Sequence, residues 1–136
     1  MPTASSDHTT KAFDHDLEDL ARMIAEMGGL AEKQIHDAIR TLTNFDRERC
    51  EQIITGDAAL DRLQREVEQK AIATIATRQP MAVDLREVIG ILRIAGELER
   101  MGDLAKTIAK RVAALNQGEA TIRTMRGISH MTSLEI

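Results

Sequence analysis

Four carboxylates stand out by type and spacing. Asp57 and Asp61 sit four residues apart in Asp57-Ala-Ala-Leu-Asp61, and Glu99 and Asp103 repeat the interval in Glu99-Arg-Met-Gly-Asp103. On a helix that interval places both members of a pair on one face. Midway between the pairs lies Pro80, which lacks a backbone N–H and pushes Gln79 out of the helical region. Two helices doubling back there bring Asp57 opposite Asp103 and Asp61 opposite Glu99. Four like charges so placed repel unless a cation, a proton or an arginine compensates. Two answers stay open on spacing alone. Hard oxygen donors with no His or Cys beside them suit Mg²⁺, Mn²⁺, Ca²⁺ or iron. Alternatively Arg62 and Arg100, directly after Asp61 and Glu99, close crossed salt bridges while Asp57, after Gly56, caps a helix.

Other chemically able residues form no constellation. His8, His15, His36 and His130 are scattered away from the acids, and the Met residues, Met101 among them, lie at or beside core-type positions. Arg78 and Arg86 flank the Pro80 turn and are candidates for reaching a partner's acidic or phosphate groups, although Arg near helix ends is usually just solvated. The lone Cys50 excludes an internal disulfide framework and a Cys-based zinc site, and it reads as an inert thiol. No phosphate-binding Gly-rich loop, nucleophile elbow or Ser/His/Asp set is visible.

The elements that must position the acids are long helices. Among 136 residues there are two Phe, no Trp and no Tyr, a composition that suits helices packed by aliphatic side chains and argues against sandwiches and barrels. Residues 1–12 are polar and read as a mobile tail. Phe13, Leu17, Leu20, Ile24, Met27, Ala31, Ile35, Ala38, Leu42 and Phe45 then form one apolar stripe, with Gly28-Gly29 marking a bend or a close crossing. Asn44 or Asp46 ends that helix and caps the next. Gly56 is expected to break or kink the second segment, whose stripe runs through Leu60, Leu63, Val67, Ala71, Thr74 and Ile75 to the turn. Asp84 is placed as the cap of the third helix, where Val88, Ile91, Ala95, Leu98, Gly102, Ala105, Ala109 and Val112 alternate steps of three and four, a heptad seam. The result is an all-α, antiparallel three-helix bundle over residues 13–115. Asn116-Gln117-Gly118 is expected to stop the third helix. Beyond it, in 116–136, Ile122, Met125, Ile128 and Met131 open a truncated fourth helix whose stripe is expected to drive self-association.

A net charge of -4, spread over 22 acidic and 18 basic residues, leaves no basic block for nucleic acid. No apolar run is long enough to span a membrane and no signal-peptide core opens the chain, so the expected place is the cytoplasm.

Three stretches together resemble the PhoU family of phosphate-signalling proteins: Phe13-Asp14 to Leu20 with Glu26-Met27-Gly28-Gly29-Leu30, the turn Ile75-Ala76-Thr77-Arg78-Gln79-Pro80 to Asp84-Leu85-Arg86, and Glu97-Leu98-Glu99-Arg100-Met101-Gly102-Asp103. The resemblance implies two tandem three-helix repeats, of which this chain holds the first and the start of the second. It implies acidic E/D-x-x-x-D motifs that in some members bind clusters of iron or zinc, here matched by Asp57, Asp61, Glu99 and Asp103; manganese and magnesium suit the same donors. It also implies a negative regulator of the phosphate-starvation response that connects the ATPase subunit of a phosphate ABC transporter to a phosphate-sensing histidine kinase. Such a protein is not an enzyme and is cytoplasmic or peripheral at the inner membrane through those partners; the homodimer or higher oligomer expected of this chain follows instead from the apolar stripe of Met125, Ile128 and Met131. Two alternatives are a metal-dependent phosphohydrolase built on the carboxylates and a purely structural helical oligomer.

Overall fold

A computed structural model describes the backbone of residues 2–135 and the side chains of residues 10–116. Three helices follow one another, α1 (Pro2–Thr43), α2 (Arg47–Arg78) and α3 (Val83–Glu135), and each packs on both others as an all-α three-helix bundle. No helix among the described residues is long and apolar enough to cross a membrane.

The connections follow local chemistry. Asp46, in extended conformation, caps α2 by accepting from the backbone N–H groups of Glu48 and Arg49 at 3.1 and 3.3 Å. At the other end of α2, Gln79 takes the left-handed conformation (φ 49°) and its N–H reaches Ile75 O, so the helix closes one residue before Pro80. Ala82 is also left-handed (φ 53°), a conformation that costs a non-glycine residue about 1 kcal/mol and lets the chain reverse within four residues. Asp84 is not the cap of α3. It lies inside the first turn, where its carboxylate opposes the positive end of the helix dipole.

Several breaks expected from the sequence are absent. Gly56 sits inside a continuous α2, and α3 passes through Asn116–Gly118 without stopping, so the fourth helix is a continuation of the third. A single helical Gly costs only about 1 kcal/mol, and no proline follows to enforce a stop. Likewise α1 starts at Pro2, so no helix boundary falls at Phe13. The side chains of Ile122, Met125, Ile128 and Met131 lie outside the described residues. Gly28 and Gly29 are not a close crossing, because a β-carbon on either would meet nothing within 4 Å.

The core has two apolar parts. One gathers Leu20, Met27, Ala31, Leu60, Val67, Val88 and Ala95, and the other Ala38, Cys50, Ile53, Ala105, Ala109 and Val112. The α2 and α3 stripes pack as their spacing predicts. The α1 stripe turns away near its end: Leu42 and Phe45 are exposed, while Gln34 and Thr41 are buried in their stead. Thr41 satisfies its hydroxyl on Ala38 O at 2.6 Å, and burial pushes the neighbouring Cys50 thiol upward in pKa, which leaves it protonated and inert.

Candidate functional site

Between the two apolar parts lies one polar layer, to which each helix contributes a buried residue: Gln34 from α1, Asp57 from α2 and Gly102 from α3. Gly102 occupies a position of the α3 seam whose other members are Val, Ile, Ala and Leu. A β-carbon there would collide with Leu60 Cδ2 and stand 3.0 Å from Asp57 Oδ1 and 3.1 Å from Gln34 Oε1. The missing methyl is what admits two oxygens into the helix crossing.

Asp57, Asp61 and Asp103 each offer a carboxylate oxygen within 4.8 Å of the others. Asp57 is 2% exposed, Asp61 is half-buried and Asp103 faces solvent, so the acids run from core to surface. Glu99 is not among the gathered oxygens. It lies one helical turn from Asp103 along α3, and the close approach at Gly102 sets Asp103 against both acids of α2, not only the first.

Lys106 is the compensating cation, with Nζ 3.6 Å from Asp57 Oδ2. The crossed salt bridges expected of Arg62 and Arg100 do not form among the described residues: Arg100 pairs with Glu97 on its own helix. Nor is Asp57 a helix cap, since it sits mid-helix in α2. One lysine does not balance the site. Burial, then the charges of Asp61 and Asp103, raise the Asp57 pKa against the opposing pull of Lys106. Asp57 Oδ1, Asp61 Oδ1 and Gln34 Oε1 are buried without a hydrogen-bond partner. Three orphaned acceptors with no donor among them are costly, and a proton or a cation is the kind of species that relieves them.

The donor set fits a hard metal ion. Oxygens bound to one Mg²⁺, Mn²⁺ or Ca²⁺ lie about 2.0–2.6 Å from it and hence within about 5 Å of one another, and the three carboxylates meet that limit. Sequence reasoning finds the three aspartates and misses Lys106 and Gln34. Lys106 follows Asp103 by one turn and was detectable as a same-face neighbour; Gln34 stands at seam spacing between Ala31 and Ala38, but its polar side chain hides it from a search for apolar residues.

A second gathering, His15, Asp16 and Asp19, is already neutralised. Asp16 accepts from Lys70 Nζ at 3.2 Å and from Arg78 Nε at 3.0 Å, tying α1 to α2. Arg78 is therefore an internal tie through its Nε. Arg86 is exposed and lines a shallow depression with Ile89, Gly90 and Arg93. Met101, expected near the core, is 40% exposed.

Residues 24–112 match the PhoU domain family. A protein of Rhizobium meliloti named phosphate-specific transport system accessory protein PhoU homolog is 46% identical over 129 residues, 95% of this chain and 54% of the relative. Bearing the same name, a Caulobacter vibrioides protein is 40% identical over 129 residues (95% and 56%) and a Clostridium acetobutylicum protein 43% identical over 109 residues (79% and 50%). The chain spans about half the length of these relatives.

Proposed function

The chain belongs to the PhoU family, and on that premise we propose that it is a non-catalytic regulatory module of a phosphate transport system. It restrains the phosphate-starvation response by contacting the ATPase subunit of a phosphate ABC transporter and a phosphate-sensing histidine kinase. The observation that carries this reading is the match over residues 24–112, together with relatives named as accessory proteins of phosphate-specific transport. The bundle suits the role: rigid helices present long side surfaces, which fits docking more than substrate enclosure. The proposed place is the cytoplasm, with recruitment to the inner membrane through those partners, and the proposed assembly is a homodimer or higher oligomer.

The same reading includes a cation held by Asp57, Asp61 and Asp103, with Glu99 one turn away. Its support is the set of orphaned buried oxygens and the cradle at Gly102. Iron, zinc, manganese and magnesium are the candidates. Bound there, the ion supplies positive charge that joins α2 to α3.

The test is expression of this chain in a bacterium lacking its own PhoU-family protein, with a phosphate-starvation reporter read in high phosphate. Repression, with co-purification of the transporter ATPase or the kinase, is expected. A reporter that stays fully on, with neither protein recovered, overturns the adaptor reading for this chain. Manganese-dependent turnover of a phosphomonoester that Asp57→Asn abolishes would mark a hydrolase instead.

A further inference from the structure

Among the described residues of α1, Gln34 is the one that enters the polar layer beside the acids. It is 8% exposed, and its two amide ends meet different surroundings. The nitrogen points toward Gly56, 3.4 Å from where a β-carbon on that residue would stand, beside a groove of about 220 Å³ between α1 and α2 that Lys33, Asp37, Arg49 and Gln52 also line. The carbonyl Oε1 points the other way, into the space above Gly102 that Asp57 Oδ1 also borders, and it has no partner.

That orientation is unfavourable in a bundle without a cation. An amide beside a buried carboxylate gains by turning its N–H groups toward the negative oxygen; here the acceptor end faces it and two lone-pair-bearing atoms share one space. A positive ion between them reverses the sign, because an amide carbonyl is a neutral hard donor of the kind Mg²⁺, Mn²⁺ and Ca²⁺ accept alongside carboxylates.

Building on the reading that the three aspartates hold a cation, we infer that Gln34 Oε1 is a further ligand, so that the site draws on all three helices. The acidic motifs of α2 and α3 supply charge. Gln34 supplies a donor without adding a fourth negative charge to a cluster that Lys106 already balances only in part. It also gives the ion a hold on α1, which no carboxylate of the cluster provides. The ligand chemistry is a small, hard divalent cation.

Isothermal titration with Mn²⁺ tests this on the full chain and on Gln34→Leu, Gln34→Glu, Asp57→Asn and Asp61→Asn, each checked for helicity beforehand. Expected are a loss of about 10- to 100-fold in affinity for Gln34→Leu, a gain for Gln34→Glu, which keeps a donor oxygen and adds a charge, and a larger loss for both Asp variants. If Gln34→Leu binds within twofold of the parent while Asp57→Asn loses binding, the carboxylate site stands and Gln34 is no part of it. If Gln34→Leu does not fold, Gln34→Glu decides: affinity unchanged or lowered overturns the assignment. A parent chain that takes up no Mn²⁺, or Asp variants that bind like the parent, overturns the underlying cation reading and this one with it.

Discussion

Asp16 and Asp57 show how the same side chain takes opposite electrostatic roles. Burial alone would raise the pKa of both. For Asp16 the hydrogen bonds and charges of Arg78 and Lys70 outweigh it, and the net pKa falls below 3.8; for Asp57 the neighbours are two more acids and the net rises. The Asp16 pairing therefore stabilises the bundle above the ordinary carboxylate range and is lost as pH falls through the depressed folded-state value. Asp16→Asn should lower unfolding stability by about 1–2 kcal/mol at pH 7, the range for a partly buried charge-assisted pair. Urea unfolding of both proteins from pH 7 down to pH 2 checks it: the gap should be constant above about pH 5 and shrink in acid. A gap independent of pH would mean that Asp16 contributes packing alone.

At the scale of the helices, the glycines separate by what surrounds them. Gly102 is held against Leu60, Asp57 and Gln34, whereas Gly28 and Gly29 on α1 face open space. Gly102→Ala should therefore destabilise the bundle by about 1–3 kcal/mol through overpacking, despite the better helix propensity of Ala. Gly28→Ala should stabilise it by about 0.5–1 kcal/mol, because only propensity changes. Thermal melts of the two variants, read in opposite directions, check both statements. The contrast also shows what was legible beforehand. The α3 seam from Val88 to Val112 was readable because its alternating three- and four-residue steps leave one way to bury it, and Gly102 was already on it. The close crossing expected at Gly28-Gly29 and the stop expected at Gly118 are absent because glycine spacing carries no record of the neighbouring helix. The α1 stripe drifted at Leu42 because apolar lettering cannot reveal that a polar layer, anchored by Gln34, draws that helix face inward.

For the molecule as a whole, the polar layer divides an aliphatic core, and its unpaired buried oxygens cost stability. The three aspartates were legible from the i,i+4 repeat and the position of Pro80; the tie to α1 was not, since a lone Gln in a helical stripe resembles any solvated residue. In the cation-free bundle Asp57 is a buried acid beside two others with one oxygen unpaired. Asp57→Asn removes that charge and supplies an N–H₂ that can donate to Gln34 Oε1, so in chelator it should melt a few degrees above the parent, a gain of about 1 kcal/mol. With Mn²⁺ at about a hundred times its dissociation constant the order should reverse. The parent gains about 2.7 kcal/mol by linkage, or roughly 10 °C for a chain of this size, and Asp57→Asn gains little. Melting curves of the two chains in EDTA and in Mn²⁺ check the crossing. Parallel curves, with the variant above the parent under both conditions, would show that the polar layer is an unrelieved cost and that the bundle's stability owes nothing to a bound ion.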